Sequence, residues 1–344
     1  MPPYVCITSP LLFQIYPNHP TSYVEQYLFN IQRQLTKSTV VEIGYLGSEG
    51  HHLGRFLFFN PTTPGPAASP ITAREPYPEF TASQTEEQIV NSNYQSFTVK
   101  LTRRLSDGLT FLAGYTFSKS IDDGSGIDPP GSESRQPQTG WCVECERGLS
   151  TFDQRHRFVI SALYQLPFGT GRQFLNHGLA SKLVGGWELS SLFTVSTGLP
   201  LMVVDGTNVA NTALLLDRPN ATGISPKLSN PTTGEWFNVN AFVLEPQGSF
   251  GNLGRNVPGV TGPGILEWDG SLLKNFNFTE KRYLQFRFEA FNASNTPNFG
   301  DPGLALAANT TVGGIAVPGT GTFGKISSLR TPMRELQLSL KLVF

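Results

Sequence analysis

The C-terminal run from Met333 to Phe344, MRELQLSLKLVF, constrains the fold more than any other stretch. Leu336, Leu338, Leu340, Leu342 and Phe344 share one parity, and Glu335, Gln337, Ser339 and Lys341 hold the other. Side chains on a strand point alternately to opposite faces, so this run builds one apolar and one polar face. Wound as a helix, the same leucines would spread around the circumference. About 9–11 tilted residues take a β-strand across a bilayer, and this run is long enough to do so. An ordinary sandwich strand at a chain end would alternate in the same way, so the rest of the sequence has to decide.

Composition removes several classes. A chain of 344 residues has room for one large domain or two ordinary ones. A net charge of −1 argues against a nucleic-acid-binding surface. Charged residues make up 15%, well under the roughly 25% of a soluble domain. Gly 35, Pro 26 and Phe 25 against Met 3 suit strands, turns and aromatics rather than helices. No apolar run reaches the roughly 18 residues of a transmembrane helix, which a membrane barrel does not need. The N-terminal MPPYVCITSPLLFQ has neither a basic n-region nor a long apolar core, so no signal peptide is expected in it.

Taken in order, residues 1–22 read as a Pro-rich loop. Tyr23 to Leu35 alternates, a turn at Thr36-Lys37-Ser38 follows, and Thr39 to Leu46 alternates again. Gly47 to about Asn93 is expected to be a long loop, although the patch Phe56 to Phe59 could extend a strand beyond the membrane. Gln95 to Arg103 and Leu109 to Ser118 flank Asp107-Gly108, a strong hairpin signal. Lys119 to Arg155 is a second long loop. His156 to Leu166 and Trp187 to Thr197 pair across a medium connection. Gly198 to Gly270 is the longest loop, with short strands hidden near Leu201 to Val204 and Trp236 to Val243. Ser271 to Phe278 and Tyr283 to Asn292 form a hairpin around Thr279-Glu280-Lys281-Arg282, and residues 293–332 make the last loop.

Short and long connections therefore alternate. Transmembrane barrels show that rhythm, with short periplasmic turns and long extracellular loops; a soluble sandwich has no reason to. The fold expected is an all-β, antiparallel transmembrane β-barrel in the bacterial outer membrane. It has nine strands, or eleven with the hidden pair. An odd count that begins outside the cell describes the C-terminal part of an incomplete barrel, because complete single-chain bacterial barrels have an even number. Unpaired edges of such a sheet cannot face lipid.

Several motifs carry residue types that can do chemistry. Cys142 and Cys145 form a C-x-x-C pair without a second pair to complete a zinc site, so a local loop disulfide is expected, with Cys6 left over. Adjacent His51 and His52 point apart on an extended chain and chelate poorly. The stretch from Gly319 to Gly324 satisfies G-x-G-x-x-G but follows no clear strand and opens no helix, so loop punctuation is the better account. Asp153, Arg155, His156 and Arg157 cluster without a nucleophile or carboxylate pair, which favours charges pairing across strands. No catalytic, cofactor or metal site is expected. In the strand from Tyr283, Gln285, Arg287 and Glu289 oppose Leu284, Phe286, Phe288 and Ala290, giving lumen-facing polar and lipid-facing apolar sets. Phe344, with Leu342 and Leu340, is similar to the terminal signal by which the barrel assembly machinery takes up a last strand through its own sheet edge.

As a set these stretches resemble the C-terminal barrel of Oar-like TonB-dependent receptors, numerous in acidobacteria and their Gram-negative relatives. The likeness rests on TSYVEQYLFNIQRQL and VVEIGYLGSEGHHL (21–35 and 40–53), Tyr115 to Asp123, Phe152 to Phe158, Gly186-Trp187-Glu188, FRFEAFNASNTPNFGDP (286–302) and Phe323 to Ile326, in order along nearly the whole chain. The resemblance implies a parent with a signal peptide, a TonB-contacting segment, a plug and a barrel of about 22 strands. It also implies energised uptake of a large or scarce solute. Signal, plug and first barrel half have no counterpart in 1–344, so the TonB complex would act only through a plug outside this chain. The lumen charges would face that plug. The remaining partners implied are outer-membrane lipid and an extracellular ligand. A surface adhesion protein whose loops bind matrix or polysaccharide, and a passive pore, are the alternatives.

Overall fold

Each alternating run forms a strand, and nine strands join in chain order into one sheet. A computed structural model of the chain describes residues 11–17, 20–58, 60–78, 80–125, 137–169, 171–212, 217–279, 282–306, 310–312, 315–317 and 321–344. Expectations that fall on Cys6, Phe59, Glu280, Lys281, Gly319 and Thr320 lie outside the described residues. The wall strands are β1 (Tyr23–Gln34), β2 (Thr39–Phe58), β3 (Thr81–Ser106), β4 (Leu109–Asp122), β5 (His156–Gln165), β6 (Trp187–Ser196), β7 (Ile265–Asn277), β8 (Tyr283–Phe291) and β9 (Glu335–Val343). Every neighbouring pair is antiparallel. Among the described residues β1 and β9 do not pair with each other, so the sheet is open.

Register carries one parity across the whole sheet. Leu109 lies opposite Tyr164, Tyr164 opposite Leu189, Leu189 opposite Leu272, Leu272 opposite Phe288 and Phe288 opposite Leu338. The other parity runs from Leu163 through Ser190, Ser271 and Glu289 to Gln337. A slip of one residue anywhere would mix the two faces. The β3–β4 hairpin holds its place through Asp107 and Gly108, both left-handed (φ 53° and 78°), as the tight turn between right-twisted strands demands. A Cβ on Gly108 would come within 2.7 Å of the Gln165 carbonyl.

Three expectations are corrected. Residues 1–22 are not all loop: Leu11–Ile15 is a strand, parallel to the start of β3. It pairs there because β4 reaches only as far as Ser92, leaving one edge of β3 open above that point. The segment 47–93 is mostly strand, since β2 continues to Phe58 and β3 begins at Thr81. Alternation fades there because a strand pair that projects beyond lipid has no apolar face to maintain, while its backbone ladder continues through a register shift beside His52 (φ 56°). The pair hidden in the longest loop does not join the wall. Val204–Asp205 pairs with Ala305–Leu306, and Phe242–Val243 with Asn220–Ala221. The two strands that bring the sheet to eleven are Leu11–Ile15 and Gly148–Leu149.

The buried apolar core lies in the loops rather than in the wall. Leu201, Val203, Phe237, Phe242, Val260 and Leu306 pack together with Phe323. The rings of Phe237, Phe242 and Phe323 meet edge to face at 5.1–5.8 Å. The described residues of 197–264 and 292–334 thus form a cap with its own interior.

Candidate functional site

The apolar parity forms an exposed band across the sheet. Phe29, Ile43, Phe97, Phe117, Leu189 and Trp268 contribute to it, and Leu336, Leu338, Leu340 and Leu342 complete it along β9. Water would not tolerate so continuous an apolar face, and lipid accounts for it. Phe344 ends this band and is 92% exposed. Lys274 also falls on this parity, opposite Trp187 and Phe286. It is buried under the helix α1 (Gly178–Val184), donates to the Leu183 carbonyl, and lies 4.7 and 5.1 Å from the Phe276 and Trp187 rings. Sequence reasoning passed over this lysine because its cover comes from a distant helix.

On the opposite parity, Gln285 donates to Asn275 at 3.0 Å, and Arg287 lies 3.6 Å from Glu289. Leu28, Leu112 and Leu192 stand exposed on that same parity.

Where the wall meets the cap, charges are buried in pairs. Arg218 grips Glu146 through two hydrogen bonds of 2.7 Å and also bonds to Gln138. Arg255 pairs with Asp122, donates to Ser125 at 2.9 Å and reaches the Glu146 carbonyl at 2.8 Å. These contacts fasten loop 197–264 to the end of β4 and to loop 123–155. In the cluster at 153–157 the ion pair is local, Asp153 to Arg155 at 3.3 Å, while Asp153 also accepts the Ser120 amide of β4 and His156 Nδ1 lies 2.8 Å from the Tyr115 hydroxyl on β4. The cross-strand pairing expected for Asp153 is not what forms. Cys142 and Cys145 are joined by a disulfide, their Cα atoms 5.4 Å apart. His51 stacks on Tyr23 at 4.9 Å. Phe323, inside the glycine-rich stretch, is part of the cap core.

Two features of the cap could engage a ligand. A cleft of about 300 Å³ opens between Phe152, Leu199, Met202, Arg255, Asn256 and Asp301. Beneath the cap surface, carboxylate oxygens of Asp205, Asp217 and Glu245 all lie within 4.8 Å of one another. Burial, then the neighbouring Asp205 and Asp217 charges, pushes Glu245 up to about 7 against the pull of its own amide. Burial likewise raises Asp217, opposed by the Ala210 amide that it accepts.

A long antiparallel sheet with one lipid-seeking face and a folded cap of loops defines the wall of a transmembrane β-barrel. A model of the outer membrane beta barrel domain matches residues 3–337, and the chain belongs to that family, in the bacterial outer membrane. Comparison with curated proteins finds no match. Among solved structures the chain is similar to the outer membrane transporter YddB from Escherichia coli (TM-score 0.51, 10% identity, covering 98% of this chain and 35% of that one). It is also similar to the FrpB iron transporter from Neisseria meningitidis (0.44, 10%, 97% and 32%). A third is the ferripyoverdine receptor of the outer membrane of Pseudomonas aeruginosa (0.44, 10%, 94% and 27%). The chain spans about a third of the length of these solved proteins, and at such identities the likeness concerns the fold.

Proposed function

We propose that residues 1–344 are the C-terminal part of the barrel of an Oar-like TonB-dependent receptor, whose parent protein takes up a scarce solute by an energised route and performs no catalysis. The observation that carries this reading is the open, nine-stranded sheet whose two end strands each leave one edge unpaired among the described residues. Backbone groups on such edges are not tolerated in lipid, so further strands have to complete the wall. Gln285, Arg287 and Glu289 would then line the lumen. Leu28, Leu112 and Leu192 on the same parity favour a lumen filled by a plug over one filled with water, which sets this reading apart from a passive pore. TonB would act on that plug. The cleft beside Phe152 and Arg255 is the first place to look for an extracellular ligand. Phe344, Leu342 and Leu340 would present the last strand to the assembly machinery.

The DNA directly upstream of the Met1 codon tests the proposal. An open frame encoding a plug and alternating strands enough to close the wall is expected. A broken or unrelated frame would withdraw energised uptake for this polypeptide and leave the adhesion reading.

A further inference from the structure

Asp205, Asp217 and Glu245 are buried in the cap, and none of the ion pairs formed among the described residues involves any of them. We propose that these three carboxylates form a calcium site that locks the cap together. Two of the three are already positioned. The Asp205 carboxylate accepts the Thr207 amide at 2.7 Å, the Thr207 hydroxyl at 2.6 Å and the Val209 amide at 2.7 Å. Asp217 accepts the Ala210 amide at 2.9 Å and, at 3.4 Å, the Thr212 hydroxyl. Glu245 differs. It is 4% exposed, points its carboxylate at the other two, and accepts no hydrogen bond from another described residue through either oxygen.

A buried carboxylate with no donor beyond its own amide and no counter-charge among the described residues is a rare and unfavourable arrangement, and two further carboxylates within 4.8 Å aggravate it. The buried arginines Arg218 and Arg255 do not relieve it, because Arg218 is committed to Glu146 and Arg255 to Asp122. A divalent cation would. The donors are all hard oxygens, with no histidine or cysteine among them, which suits Ca²⁺ or Mg²⁺ rather than zinc or copper. Three carboxylates on irregular loop backbone provide several oxygens in a loose arrangement. Ca²⁺ accepts such sites with six to eight ligands, whereas Mg²⁺ requires a near-ideal octahedron.

The site's position gives it a purpose. Asp205 sits on the short strand that pairs with Ala305–Leu306, and so joins loop 197–264 to loop 292–334. Glu245 follows the strand that pairs with Asn220–Ala221. Both Gly248 and Gln247 donate to the Val209 carbonyl, so the segment after Glu245 is already laid against the segment after Asp205. A cation there would tie three separate stretches of the longest loop to one point.

The test is calcium titration by calorimetry of the chain folded in detergent and dialysed free of metal, with thermal melting alongside. One Ca²⁺ per chain is expected, with Kd roughly 10⁻⁴–10⁻³ M, the range of extracellular modules. Ca²⁺ should raise the melting temperature of the cap. Glu245→Gln, which keeps the side-chain volume, should weaken binding at least about tenfold and abolish the calcium-dependent rise. Without metal it should melt no lower than the native chain, since it removes an unpaired charge. Glu245→Asp retains the charge with a shorter reach and should fall between the two. Glu289→Gln, on the wall, should bind as the native chain does. No binding by the native chain, equal loss in Glu245→Gln and Glu289→Gln, or Mg²⁺ binding as tightly as Ca²⁺ would each overturn the assignment.

Discussion

Phe237 shows how much of the cap depends on single side chains. It is 1% exposed and wedged between Phe242 and Phe323. Phe237→Ala opens a cavity in that cluster and should destabilise the cap by about 3–5 kcal/mol. Limited proteolysis should then cut within residues 197–264 much faster than in the native chain, while the wall strands stay protected. Phe344 tests a different property at the same scale. It packs against nothing that would hold the fold, being almost fully exposed, so Phe344→Ala should leave the sheet's stability unchanged. If it is read during assembly, the same change should lower the amount reaching the outer membrane several-fold, measured by membrane fractionation. Equal delivery of the two proteins would remove the assembly role. Neither Arg218–Glu146 nor Arg255–Asp122 was legible in the sequence, because their partners lie far apart along the chain and no local pattern links them.

At the scale of the strand, parity governs the outcome. Leu338 and Ser339 are neighbours on β9, yet they face opposite ways, Leu338 beside Phe288 and Ser339 beside Arg287. Leu338→Lys should destabilise the lipid-inserted sheet by about 2–4 kcal/mol if it sits near the bilayer midplane. Ser339→Lys should have a much smaller effect. Urea unfolding from lipid vesicles measures both, and equal effects would mean that the apolar band does not face lipid. Most wall strands were legible to within a few residues because the lipid requires every second residue to be apolar, although β7 starts at Ile265, well before the expected Ser271. The upper ends of β2 and β3 were not. There the only constraint is the hydrogen-bonded ladder, which almost any side chain permits, and Leu11–Ile15 joined through the same ladder.

For the whole molecule, the open edges of β1 and β9 decide behaviour. Among the described residues each exposes a row of unpaired backbone groups, and such edges pair with whatever strand is available. Expressed without further strands, the chain should associate through them into species of at least two copies in detergent. Light scattering checks this, and a stable monomer with all nine strands intact would mean that the edges are satisfied in some other way. By itself the sequence determined the nine alternating runs of the wall, its two faces and the placement of its short turns, while the count of nine or eleven stayed open. Those features repeat every two residues or depend on local chemistry such as Asp107-Gly108, so a linear reading captures them. The tertiary structure alone decided that the long loops fold into a cap, that its core is built from Phe237, Phe242 and Phe323, and that Asp205, Asp217 and Glu245 converge. The physical reason is separation along the chain. These contacts bring together residues with no periodic relation, held by burial and by charges whose partners only the folded chain brings within reach.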